Sequence, residues 1–217
     1  MYCKDIMIDR NQVITVTSEF TLSKVLDRMR FYGHRTLPVV NMGRYQGVVD
    51  RNAIFEHVYI KRDIDLDVAT AGDVIRTNIQ IVYASDFIEK AAIGFRNHRY
   101  QFLPVLMDDT ADQFMGIMPM NTLMDTFSSA LGLGQPAHRL TLEMSNYRGE
   151  LAKLTRALMQ SGANITSFVT VDHRDPTNIH SSPQIKLVLK FEGDLDLALA
   201  SCRAQGARVT HIDRFEG

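Results

Sequence analysis

The sequence predicts a mixed α/β (α+β) protein, a duplicated β-α-β-β-α unit followed by one β-α-β-β-α-β unit. Three observations predict it. Leu37-Pro38-Val39-Val40, followed after a turn by Gly47-Val48-Val49, recurs as Leu103-Pro104-Val105-Leu106 followed by Gly116-Ile117-Met118, with the two Leu-Pro-Val triplets 66 residues apart. A fixed internal period marks a supersecondary unit that cannot bury its apolar face alone, so two such units pack together. The segment Gly132-Leu133-Gly134-Gln135-Pro136 then punctuates the chain, and beyond it strand-like and helix-like patterns come in a different order. An interface between paired repeats is a natural place for a small ligand.

In the first repeat, β-branched Val13-Ile14-Thr15-Val16 reads as a buried strand. Thr21 precedes Leu22, Val25, Leu26 and Met29 at helical spacing, and Gly33 is placed to stop that helix. Leu37–Val40 and Tyr45–Val49 flank the turn Asn41-Met42-Gly43-Arg44 as a hairpin. Asp50 opens a second helix carrying Ile54, Phe55 and Val58.

The second repeat follows element by element. Residues 79–82 form its first strand, and Asp86 heads a helix with Phe87, Ala91, Ile93 and Phe95. Strands follow at 102–107 and 114–118, and Pro119 begins the last helix, where its missing N–H costs nothing. The polar stretch 61–65 reads as a solvated linker between the halves. After the break, His138–Met144 alternates as a strand, and Leu151, Leu154 and Leu158 stripe a helix that Gly162 stops. Strands at 165–171 and 185–191, a helix with Leu195, Leu197, Leu199 and Cys202, and a strand at 208–215 complete β-α-β-β-α-β. The expected segments are 1–66 and 67–131 for the repeats, 132–137 for a linker and 138–217 for the last unit.

Composition narrows the function classes. The 217 residues are 45% apolar and 23% charged with a formal net charge of -1, so no basic field favours nucleic acid. No apolar run approaches the roughly 20 residues of a membrane-spanning helix, and residues 1–10 mix charges in a way no signal peptide would. Cys3 and Cys202 stand far apart without a motif, as free thiols of a reducing compartment would. A soluble cytoplasmic protein with no nucleic-acid or membrane partner is expected. No nucleophile elbow, P-loop, His-Glu-x-x-His or Cys-x-x-Cys supports an enzyme. His173 and His180 share a Pro-containing polar loop whose spacing matches no zinc pattern, so no metal is expected. The methionines Met115, Met118, Met120 and Met124 read as gap-filling core or a repacking interface.

Residues 4–60 and 72–128 resemble a tandem pair of CBS domains (a Bateman module), on Asp5-Ile6-Met7, the Leu-Pro-Val strands and the Gly strands leading into helices. Residues 138–215 resemble an ACT domain, on Asn146-Tyr147-Arg148-Gly149-Glu150-Leu151-Ala152 and Ser161-Gly162-Ala163-Asn164-Ile165. The order CBS, CBS, ACT is similar to the acetoin-utilization protein B family. The resemblance implies a non-catalytic regulatory homodimer that senses a small-molecule effector and controls a partner protein. The implied ligand of the CBS cleft is AMP, ATP or S-adenosylmethionine, near Val13, His34, Leu37, Pro38, Asp50, Arg51, Ile79, His98, Leu103, Pro104, Pro119 and Thr122. The ACT loop, with Asn146, Tyr147, Arg148, Gly149, Asn164 and Ile165, implies an amino-acid ligand.

The chain departs from the adenosine-binding pattern of that family, which reads Gly, two apolar residues, Thr or Ser, two residues, then Asp. The first repeat reads Gly47-Val48-Val49-Asp50-Arg51-Asn52-Ala53 and the second Gly116-Ile117-Met118-Pro119-Met120-Asn121-Thr122. Ala53 and Thr122 replace the acid that would accept from the ribose hydroxyls, and each lost charge-assisted bond is worth roughly 1.5–3 kcal/mol. Asp50 reads either as a negative charge where phosphate would sit or as a helix N-cap. His34, Arg35, His98, Arg99 and Tyr100 precede the Leu-Pro strands, either as cleft contacts or as a solvated basic edge. Two functions follow as expectations: a metabolite sensor, or a ligand-independent interaction scaffold with decayed pockets.

Overall fold

The structure, a computed structural model, describes residues 1–62, 64–96, 98–109, 112–134, 136–172 and 184–215. The loop containing His173 and His180 lies outside these residues. The described chain divides into two compact units, Met1–Asp125 and Thr126–Gly217.

Each half of the first unit opens with a 3-10 turn, Cys3–Asp5 and Ala71–Asp73, closed by the same device. The Tyr2 N–H donates to Asp5 Oδ2 at 2.7 Å, and the Thr70 N–H donates to Asp73 Oδ2 at 2.8 Å. These leading segments are exchanged between the repeats. The first lies on the second repeat: Cys3 N–H donates to the Asp86 carbonyl, and β1 (Ile8–Asp9) pairs antiparallel with β6 (Phe114–Pro119). The second lies on the first repeat: Ala71 N–H donates to the Phe20 carbonyl, and Arg76 bridges Val48.

The exchange explains the glycine in each Gly strand. Gly47 and Gly116 have φ of 151° and 154°, and an added Cβ would lie 2.5 Å from the Arg76 carbonyl oxygen and 2.0 Å from that of Ile8. Only a residue without a side chain lets the partner segment approach so closely.

In the first repeat, α1 (Leu22–Tyr32) is capped by Thr21, whose hydroxyl accepts from Lys24 N, and ends at Gly33 with φ 70°. Its buried stripe is Leu22, Val25 and Met29. The hairpin of β2 (Thr36–Asn41) and β3 (Arg44–Asp50) turns on Met42 and Gly43, both at positive φ, as a two-residue loop requires. Then α2 (Arg51–Lys61) follows, burying Ala53 and Ile54 while Phe55 points outward at 58% exposure. The second repeat supplies β4 (Val82–Tyr83), α3 (Ile88–Phe95), β5 (Phe102–Leu106) and β6, in a sheet ordered β1-β6-β5-β4, and then α4 (Met120–Ala130). The repeats meet at equivalent positions: Tyr45 N–H donates to the Asp112 carbonyl, Phe114 N–H to the Gly43 carbonyl, and the Tyr45 and Phe114 rings stack at 6.1 Å.

Several local expectations change. Residues 13–16 keep only one bridge, Val16 to Val39, and residues 79–82 enter a strand only at Val82, because only the last residue of each segment reaches the neighbouring strand. Phe87 caps α3 from outside and stacks on Tyr2 at 5.0 Å, and Ile93 is 68% exposed, because the buried face is set by Ile88, Ala91 and Phe95. Pro119 ends β6 opposite Phe102, so α4 starts one residue later. Met118 is core, while Met120 and Met124 are exposed.

The second unit contains β7 (His138–Ser145), α5 (Glu150–Gln160), β8 (Asn164–Asp172), β9 (Gln184–Glu192), α6 (Leu195–Ala204) and β10 (Arg208–Asp213). The antiparallel sheet is ordered β10-β7-β9-β8, the ferredoxin-like arrangement. Leu140, Leu142, Leu187, Leu189 and Phe191 meet Leu154 and Leu158 of α5 and Ala198, Leu199 and Cys202 of α6 in one core. The last strand ends at Asp213, two residues short of the expected end. The buried Lys190 ammonium donates to the Gly132 carbonyl at 2.5 Å, which tethers the Gly-rich segment to this sheet.

Candidate ligand-binding cleft

A cleft of about 1190 Å³ opens where four segments of the first unit converge. These are the approach to β2 (His34, Arg35), the start of α2 (Asp50, Arg51), the extended stretch 76–80 and the approach to β5 (His98–Phe102). Both repeats therefore contribute walls.

Asp50 is the hinge of this wall. Its Oδ1 accepts from Ala53 N at 2.8 Å, the N-cap bond that starts α2. Its Oδ2 accepts from the Tyr100 hydroxyl at 3.0 Å. Only 9% of Asp50 is exposed, so one carboxylate caps a helix of the first repeat and holds a side chain of the second. Burial, then the bond to Asp50, pushes the Tyr100 hydroxyl up to about 12. Arg51 N–H donates to the Arg35 carbonyl at 3.0 Å, fixing the start of α2 against the approach to β2.

His98 Nε2 lies 2.8 Å from the Phe102 carbonyl, which only accepts, so Nε2 carries the proton. The ring packs edge-on against Phe95 and Tyr100, at 5.9 and 5.3 Å. Burial lowers its basicity, partly offset by the Phe102 carbonyl.

The cleft is rich in arginine. Arg76 pairs with Glu56. Among the described residues Arg35, Arg51 and Arg99 have no carboxylate partner within 4.0 Å. Three unpaired guanidiniums around one concavity favour an anion, to which each can offer two donors.

Of the residues singled out in the sequence, His34, Asp50, Arg51, Ile79 and His98 line this cleft. Leu37, Pro38, Leu103 and Pro104 are buried in β2 and β5, and Val13 packs on the Tyr45 and Phe114 cluster. Pro119 and Thr122 stand at the start of α4, as Asp50 and Ala53 stand at the start of α2, and do not line this cleft. Arg76, Asn78 and Glu56 went unremarked in the sequence. Arg76 stands where the first repeat has Ile8, each bridging the Gly strand of the other repeat, so no shared residue type in the sequence pointed to it.

In the second unit, Asn146, Tyr147 and Arg148 form an exposed loop ending at Gly149, which precedes α5 with φ 93°. Asn164 donates from Nδ2 to Glu192 Oε2 at 3.2 Å and, with Ile165, begins β8. The 11 residues of α5, about 16 Å at 1.5 Å per residue, separate that strand start from the loop. The chain does not bring the two parts together by itself.

A family model described as the CBS domain matches residues 3–60 and 71–129. Among solved structures, the chain is similar to a CBS domain pair/ACT domain protein from Thermotoga maritima. They share 22% identity over 60% of this chain and 99% of that one, with a TM-score of 0.51. It is similar to a CBS domain-containing protein of unknown function from Bacillus anthracis, at 20% identity over 59% and 94%, TM-score 0.52. It is also similar to CbpB, solved in complex with c-di-AMP, at 17% identity over 59% and 85%, TM-score 0.54. With two copies of the domain spanning more than half of its length, this chain belongs to the CBS-domain family.

Proposed function

We propose that this chain is a non-catalytic regulatory protein that binds an adenosine-containing effector in the cleft between its two CBS repeats. The observation that carries the reading is the set Arg35, Arg51 and Arg99 around a concavity walled by both repeats. A ligand touching both walls changes the protein only through its differential affinity for their two arrangements. The c-di-AMP complex of CbpB supports an adenine nucleotide as the class to test first.

The second unit is read as an ACT-type module, supported by its β10-β7-β9-β8 sheet and by the left-handed Gly149 ahead of α5. An amino acid at Asn146–Gly149 would meet Asn164 and Ile165 only from a second copy, which fits a cytoplasmic homodimer. Control of a partner in acetoin or related carbon metabolism rests on the order of the modules.

Thermal denaturation with AMP, ADP, ATP, c-di-AMP, S-adenosylmethionine and single amino acids tests both sites. A ligand at 100 times its dissociation constant adds about 2.7 kcal/mol to the stability of the state that binds it. A raised midpoint with an adenine nucleotide is the expected result. No shift with any compound at millimolar concentration overturns the sensor reading and leaves the ligand-independent scaffold.

A further inference from the structure

Resting on the nucleotide reading above, we infer that the cleft selects its ligand by phosphate charge and not by the ribose, so that ribo- and deoxyribonucleotides bind alike. A ribose diol is gripped tightly by a carboxylate that presents both oxygens to it. Two acidic residues line the described cleft, Asp50 and Glu56. Asp50 is buried, with Oδ1 accepting from Ala53 N and Oδ2 from the Tyr100 hydroxyl. Glu56 is held by Arg76. Ala53, one turn into α2, has no group to offer. The remaining polar side chains, among them Asn52, Asn78 and Gln101, are neutral and make the weaker kind of hydrogen bond.

The donors are arranged the opposite way. Arg35, Arg51 and Arg99 come from three different segments and have no acidic partner among the described residues. Their charges do not cancel, and each added phosphate charge finds a further guanidinium. Affinity therefore climbs with the number of phosphates, and the ligand class is a nucleoside triphosphate or a nucleotide with two separated phosphates.

The test is calorimetric titration of the full chain with ATP, dATP, ADP, AMP and adenosine. ATP and dATP are expected within about threefold of each other, because no charge-assisted ribose bond is lost. ATP is expected to bind at least about tenfold more tightly than AMP, with a steeper loss in added salt. The double variant Arg35→Gln/Arg99→Gln, both exposed positions, should weaken ATP by about tenfold or more. A dATP affinity about tenfold or more below that of ATP, or AMP binding as tightly as ATP, overturns the selection by charge while leaving the nucleotide reading intact. Unchanged ATP affinity in a folded double variant does the same, and the wild-type series decides should that variant not fold. Binding of no adenine compound by the wild type overturns the nucleotide reading itself.

Discussion

The Tyr100 hydroxyl donates to Asp50 Oδ2 at 3.0 Å, so the residue that caps α2 of the first repeat is also the anchor of a cleft residue from the second. The bond joins positions 50 residues apart in sequence and makes the helix start and the cleft wall one structure.

Tyr100→Phe should therefore cost about 1–2 kcal/mol, as loss of a hydrogen bond to a charged group that stays partly buried. Asp50→Ala should cost more, since it removes the cap, about 1 kcal/mol by itself, and leaves the Tyr100 hydroxyl unpartnered. A double-mutant cycle by urea denaturation checks the link; additive losses would mean the two groups are not coupled.

The glycines facing the exchanged segments should be the least replaceable. Gly116→Ala places a Cβ 2.0 Å from the Ile8 carbonyl oxygen, and about 2–4 kcal/mol of destabilisation is expected from the clash and the positive φ. Gly33→Ala at φ 70° meets nothing within 4 Å and should cost only about 1 kcal/mol. Thermal midpoints of the two variants give the comparison, and equal losses would sink the close-approach explanation.

Burial of His98 lowers its pKa in the folded state, so below its ordinary value near 6.5 the unfolded chain binds more protons. Its contribution to stability is then complete above about pH 6.5 and declines as the pH falls through and below that value. Chemical denaturation at pH 5 to 8 should show a shallower acid-side loss in His98→Gln than in the wild type. Parallel profiles would count against the buried imidazole.

Burial raises the thiols of Cys3 and Cys202 to about 11, helped at Cys3 by Asp86, and neither is in a disulfide. Neither should react with a thiol reagent at pH 8 in the native protein, because the thiolate is the nucleophile and access is closed. Two equivalents should titrate in guanidinium. Rapid labelling of the native protein would show that one of these cores opens.

The secondary structure was legible wherever a local rule decided it. Thr21 and Gly33 bound α1, Asn41–Arg44 turns the hairpin, and Leu154 and Leu158 stripe α5, all because capping, positive φ and helical spacing act within a few residues. The apolar segments 13–16 and 79–82 misled for the converse reason. β-Branched composition says that a segment is extended and buried. A ladder needs several successive residues to lie along a neighbouring strand, and here only the ends of the segments, Val16 and Val82, do so. The exposed Phe87 and Ile93 show the same limit in a helix, since the buried face of α3 is set by what packs on it.

The cleft followed the same division. Loss of the ribose acid at Ala53 and Thr122 is a matter of residue identity and needs no coordinates. By itself the sequence determined the duplication, the β-α-β-β-α-β order of the last unit and the missing carboxylates, because each is written in identity and spacing. Only the tertiary structure decided that the leading segments are exchanged between repeats, that Asp50 serves Tyr100 as well as its own helix, and that Arg76 joins the cleft. Those facts depend on chain segments tens of residues apart meeting in space, and the free energy of such meetings comes from packing that no local pattern encodes.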